Sequence, residues 1–276
     1  MHAQENVALS ADGVPIHYDV YGNGAIALVF VHGWCCDRRY WDQQAAHFAP
    51  HYTVVCLDLA GHGASGRDRT TWTVPAFGED IVAVVEHLGL AQVVLIGHSM
   101  GGLVIVEAAR RLPTAVIGVV GVDTWRNIGN RRTAEEVAVF LAPFRANFVE
   151  TARAFVREMF APTSDPTLVE DIVGAMSAAP PHMAIGAYEA LLSNGRNFRA
   201  GLQEVTAPKM TINSSARPTH TEAQRHGIEV MRMSGVGHFV LLEDPQTFNR
   251  LLGEAVQKCL QARARQEEQQ PRVGLA

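Results

Sequence analysis

No Cys-x-x-Cys pair, no cluster of basic residues and no apolar run long enough to cross a bilayer occurs in this chain of 276 residues. Each absence removes a class of function. The four cysteines are Cys35, Cys36, Cys56 and Cys259. Two are adjacent, and none has the spacing of a zinc site or a disulfide scaffold, so reduced thiols in a cytoplasmic protein are expected. Lys and Arg number 23 against 28 Asp and Glu, a net charge of −5. That balance offers no surface for nucleic acid. The first residues, Met-His-Ala-Gln-Glu-Asn, lack the basic segment and apolar segment of a secretory signal. No membrane partner is expected either.

What is present is an alternation of short apolar runs and amphipathic stretches. Residues 7–9 and 16–18 read as a pair of strands around the turn Ala11-Asp12-Gly13. Residues 25–31, 53–59, 93–96 and 115–122 are continuous apolar or β-branched runs. Strands buried on both faces read this way, and such strands belong to parallel sheets. Helical spacing follows around Trp41, Ala45 and Phe48, over residues 77–88, and directly after Ser99. The fold class is therefore α/β, a mostly parallel central sheet with helices on both faces. From residue 126 to residue 199 the alternation stops. That segment is helical, rich in large apolar residues and cut by Pro143, Pro162, Pro166, Pro180 and Pro181. It reads as an inserted helical cap between core segments 1–125 and 200–263. A final helix is expected over 248–260, with a flexible polar tail over 264–276.

Two glycine-rich stretches need separate treatment. Gly61-His62-Gly63-Ala64-Ser65-Gly66 matches G-x-G-x-x-G. Arg67-Asp68-Arg69-Thr70-Thr71 follows it instead of a helix, so no helix N-terminus is available for a pyrophosphate. It reads as a tight loop, and no cofactor is expected. Gly97-His98-Ser99-Met100-Gly101 is different, because it follows a strand and opens a helix. The glycines leave room where the two backbones cross, and Ser99 is lifted at the apex of the turn.

A serine hydroxyl attacks only when a base takes its proton. Of the 12 histidines, His238 sits in the loop after the last strand and is favoured as that base. His32 and His62 lie in loops at the same sheet edge and are the alternatives, and His98 reads as structural. The oxyanion formed on attack needs preorganised donors. The backbone N–H groups of Met100 and Trp34 are the candidates. No metal is required. Cys35 and Cys36, beside this loop, read as pocket or wall residues.

Together these segments resemble the α/β-hydrolase superfamily, in its branch of capped esterases and lipase-like hydrolases. Gly97-His98-Ser99-Met100-Gly101-Gly102 resembles its nucleophile elbow, and His32-Gly33-Trp34 its oxyanion loop. The run from Asp58 to Ser65 resembles the loop after its fourth strand. Gly235-Val236-Gly237-His238-Phe239 with Leu242-Glu243-Asp244-Pro245 resembles its histidine loop. The resemblance implies a catalytic triad of Ser, His and an acid shortly after the strand that follows the cap. Here that region reads Asn213-Ser214-Ser215-Ala216-Arg217, with no carboxylate and with Arg217 near the acid's place. Asp123, after the sixth strand, is the remaining candidate. The alternative is a cap on the first helix of the insertion, and the acid's role is favoured. The expected function is a serine carboxylesterase acting on a small to medium hydrophobic ester, with Trp34, Trp125 and Phe144 facing the substrate. Lactonase, thioesterase and carbon–carbon bond hydrolase share the same triad. A ligand-binding member without turnover is the alternative from another class. The Asp nucleophile of related dehalogenases and epoxide hydrolases is not what stands here.

Overall fold

A computed structural model describes residues 5–126, 128, 132–216 and 222–269. The core elements run in the order β1 (Glu5–Leu9), β2 (Pro15–Tyr21), β3 (Ala27–Val31), α1 (Asp42–Phe48), β4 (Thr53–Leu57), α2 (Val74–His87), β5 (Val93–His98), α3 (Met100–Arg111) and β6 (Val116–Val122). Five helices come next: α4 (Ala134–Ala146), α5 (Phe148–Arg157), α6 (Pro166–Ser177), α7 (Pro181–Ser193) and α8 (Gly195–Glu204). The core resumes with β7 (Lys209–Ser214), α9 (Glu222–Arg225), β8 (Ile228–Met233), α10 (Val240–Glu243) and α11 (Pro245–Gln269).

The eight strands form one sheet in the order β1-β2-β4-β3-β5-β6-β7-β8. The β1–β2 and β2–β4 pairs are antiparallel, and the other pairs are parallel. The continuous apolar runs are explained by the pleat. In β3, Leu28 and Phe30 join a cluster under α1 and α11, whereas Val29 and Val31 join the cluster with α2 and α3. In β5, Val94 and Ile96 face the first cluster and Val93 and Leu95 the second. Side chains alternate between two buried faces, so neither face can be polar.

This topology creates a crevice. The chain leaves β3 toward β4 on one side and leaves β5 toward β6 on the other. Loops after β3 and β5 therefore diverge at the carboxyl edge, where ligands of open α/β sheets bind. The ladder continues into the loops that matter. Ser99 N–H donates to Val122 O (2.9 Å), and Asp123 N–H donates to Ile212 O (2.9 Å).

Three sequence expectations shift. The terminal helix does not stop at residue 260 but continues to Gln269, so the tail expected from 264 is helical over its first part. Residues 265–269 are polar, yet Arg, Gln and Glu are good helix formers. Residues 270–276 lie outside the described residues, as does Arg217. The insertion's last helix, α8, runs across residue 199, and its Gly201 lies against Val106 and Arg110 of α3. Finally, Thr133 caps α4 in a reciprocal box with Glu136, so Asp123 is not the cap of that helix. No described helix is long and apolar enough to cross a membrane.

Candidate active site

The turn between β5 and α3 forces Ser99 into φ +53°, ψ −114°. A non-glycine residue there is strained. The neighbours make the strain unavoidable. A Cβ on Gly97 would stand 2.4 Å from Gly101 O, and one on Gly101 would stand 2.6 Å from both Val31 O and His32 O. Only glycine allows the strand and helix to cross this closely, as the sequence pattern requires. The loop after β6 then clasps the elbow. Thr124 Oγ1 donates to Ser99 O (2.9 Å), and Trp125 Nε1 donates to Gly102 O (2.9 Å). Met100 is the first residue of α3, so its N–H has no intrahelical acceptor.

Asp123 opens that same loop. It too has a positive φ, +46°, and its carboxylate is buried. Its Oδ2 meets His238 Nδ1 at 2.6 Å. Its Oδ1 accepts from Ser214 N–H (2.8 Å) and from Arg126. Burial alone would raise this carboxyl. The hydrogen bond and charge of His238, the charge of Arg126 and the Ser214 N–H outweigh it and hold the group below its ordinary value. Asp123 is therefore an anion at neutral pH.

His238 is set from three directions. Its backbone N–H donates to Met159 O (2.7 Å), its carbonyl accepts from His98 Nε2 (3.0 Å), and its ring lies 4.7 Å from the His98 ring. Ser99 and His238 line one cavity of about 170 Å³. Trp34, Cys36 and His98 complete its sheet side, and Phe155, Met159, Met176, Tyr188 and Leu191 close it from the inserted helices. The arrangement has a hydroxyl on a strained apex, an imidazole in the same cavity, a buried carboxylate behind it, and apolar walls.

A profile described as the alpha/beta hydrolase family matches residues 28–251. The chain belongs to the alpha/beta hydrolase family. It is 27% identical over 263 residues to 3-oxoadipate enol-lactonase 2 of Acinetobacter baylyi, covering 91% of this chain and 96% of that one. Its fold superposes on an esterase from Exiguobacterium antarcticum with a TM-score of 0.81 at 20% identity, covering 92% of this chain and all of the other. An enol-lactonase from Burkholderia xenovorans gives a TM-score of 0.78 at 22% identity, covering 91% of this chain and 100% of that one.

Within this alpha/beta hydrolase the other histidines have different environments. His32 Nε2 accepts from Leu59 N–H (3.0 Å) and its Nδ1 meets Gly33 O (2.8 Å). Both nitrogens are engaged, and burial pushes its titration down to about 4. His62 Nδ1 meets Ala60 O, and burial, helped by His32, lowers it to about 3. His98, lowered to about 3 by burial and by His238, is a neutral donor. Neither His32 nor His62 lines the Ser99 cavity. Asp58 ties down the glycine-rich loop, accepting from Ala64 N–H (2.8 Å) and Arg38 N–H (2.7 Å). The helix after that loop, α2, begins only at Val74.

Two expected substrate contacts are corrected. Trp125 does not reach the Ser99 cavity: its indole N–H is held by Gly102, and its ring lines a different cavity with Leu103 and Phe198. Phe144 stands behind Trp34, ring centroids 5.9 Å apart and planes at 89°, and is not on the cavity wall. Trp34 does line the cavity, with its Nε1 anchored to Ala184 O at 2.7 Å. Sequence reasoning missed Arg126, whose only sequence signal is a cation three residues after Asp123. It also missed the bond from His98 to His238, for which the sequence carries no signal. In sequence the cavity's apolar residues show only as cap packing, because helical spacing does not show which side faces the serine.

Proposed function

We propose that this protein is a serine hydrolase that cleaves a carboxylic ester of a small to medium hydrophobic substrate through an acyl-enzyme. The observation that carries this reading is the 2.6 Å bond between His238 Nδ1 and Asp123 Oδ2, behind an imidazole that shares its cavity with Ser99. With Nδ1–H donated to the carboxylate, Nε2 is left as the base. Ser99 Oγ attacks the carbonyl carbon while His238 Nε2 takes its proton. The oxyanion is received by the Met100 and Trp34 N–H groups. His238 then returns the proton to the leaving alkoxide, and the alcohol departs. Water, deprotonated by the same imidazole, cleaves the acyl-serine. Asp123 holds the tautomer and stabilises the imidazolium throughout. Arg126 and Ser214 N–H keep Asp123 ionised, and it does not need to take the proton.

A lactone is the cyclic form of the same bond. The enol-lactonase relative, matched across nearly its full length, favours including lactones among the substrates. The test is turnover of p-nitrophenyl esters of rising chain length, beside a set of five- and six-membered lactones, with Ser99→Ala as control. Ester turnover abolished in that variant is expected. Equal turnover in the variant and the wild type removes the reading.

A further inference from the structure

A second cavity, about 160 Å³, lies between the loop after β3, the glycine-rich loop and the inserted helices. It shares one wall residue with the Ser99 cavity, Cys36. The two cavities also meet across one helix: Met176 of α6 lines the first and its neighbour Ala175 the second. Cys36 is buried and fixed. Its N–H donates to Gly33 O (3.2 Å) and its Sγ to Trp34 O (3.4 Å). Burial drives its thiol titration upward, so the sulfur is a neutral, unreactive group. One wall of the second cavity, Ala178, Ala179, Pro180 and Met183, is small and apolar, and the opposite wall carries Asp37, His62 and Arg67.

We propose that Cys36 is the specificity-determining partition of this enzyme: it ends the room for one alkyl arm of the substrate, and the second cavity is the space that arm would enter if the sulfur were removed. The inference rests on Ser99 being the nucleophile, as proposed above. Opening the wall about doubles the volume within reach of Ser99. Each methylene buried against the Ala178–Met183 wall favours binding by about fourfold.

The probes are racemic O-methyl p-nitrophenyl alkylphosphonates carrying a propyl or a nonyl chain. Ser99 Oγ bonds to phosphorus, p-nitrophenolate leaves, and the serine proton passes to His238. Of the two hands, one turns the chain toward Cys36 whichever arm of an ester normally lies there. The readout is the rate of mass gain on the Ser99 peptide, as a nonyl-to-propyl ratio. In Cys36→Ala the ratio rises at least about tenfold over wild type, from two or more newly buried methylenes. Cys36→Gly, a wider opening, shows the same rise. Cys36→Ser, which keeps the wall, keeps the wild-type ratio. Adding Ala179→Leu to Cys36→Ala refills the second cavity and returns the ratio to the wild-type value. An unmoved ratio in Cys36→Ala and Cys36→Gly, with melting temperatures near wild type, overturns the proposal. So does a rise that survives Ala179→Leu, since the chain then lies elsewhere. Both results leave the serine hydrolase reading standing. Failure of the propyl probe to label wild type defeats that reading, and this inference with it.

Discussion

The ends of β6 and β7 lie side by side in the sheet, and they carry opposite chemistry. At the end of β6 stands a carboxylate, Asp123, bonded to His238. At the end of β7, nearer the acid's place implied by the resemblance, stand the neutral residues Asn213 and Ser214. The side chain of Asn213 brackets the next peptide of the β6 loop, accepting from Thr124 N–H (3.1 Å) and donating to Thr124 O (3.1 Å). Ser214 N–H donates to Asp123 Oδ1. The β7 end is thus a cradle for the loop that carries the Asp123 carboxylate after β6. The position of a charge in a site cannot be separated from the neutral groups that hold it. Asp123 and Trp125 both have positive φ, a strain of about 1–3 kcal/mol each. The two Asn213 bonds to Thr124, between them, offset part of that cost.

Exchanging the two ends gives the largest expected effect. In Asp123→Asn with Asn213→Asp, the new carboxylate faces the Thr124 peptide and not His238. Ester turnover should stay about a thousandfold or more below wild type. Recovery to near wild-type kcat/KM would show that the two ends are interchangeable. Next is Asn213→Asp alone. It replaces a buried donor to Thr124 O with an oxygen, leaving that carbonyl facing an acceptor. A loss of about 3 kcal/mol in urea unfolding is expected. A loss under about 1 kcal/mol would mean that the bracket contributes little.

These two ends also divide what the sequence shows from what it hides. The apolar runs in β3, β5 and β6 make the parallel sheet legible, because burial on both faces leaves only one kind of residue possible. The elbow is legible because Gly97 and Gly101 are dictated by backbone crossing. The cradle is not legible. Asn213 and Ser214 are ordinary strand-end residues until the β6 loop is laid against them. Trp125 and Phe144 are misplaced by sequence for the same reason: both are large, and only packing decides which wall they join. The stretch from residue 264 reads as tail because its polarity suggests exposure, while its helix propensity points the other way.

The histidines sharpen the contrast between charged and neutral groups through pH. His32, His62 and His98 are held neutral, with folded values of about 4, 3 and 3 against 6.5 in the unfolded chain. Between these values the unfolded chain binds more protons. Stability present at neutral pH is therefore lost as pH falls below about 6.5. By pH 5 the loss should be about 2 kcal/mol per imidazole, less than additive because His32 neighbours His62. Denaturant titrations at pH 7 and pH 5 measure it, and equal midpoints would contradict the neutral assignment. Asp123 acts in a lower window. Its folded value is depressed, so its contribution is complete above the ordinary carboxylate range and is lost as pH falls through the lower folded value. The smallest effect on activity is expected from Trp125→Phe, which removes the N–H to Gly102 O together with part of the buried ring system. About 1–2 kcal/mol of stability should be lost, with the ester chain-length profile unchanged. A shifted profile would return Trp125 to the substrate wall.

The most direct test of the central claim is kcat/KM of Asp123→Asn on the ester that wild type turns over best. An amide at this position donates to His238 Nδ1, which leaves the proton on Nε2 and removes the base. A fall of about a thousand- to ten-thousandfold is expected in a variant that still folds. Turnover within about tenfold of wild type in the folded variant would contradict it.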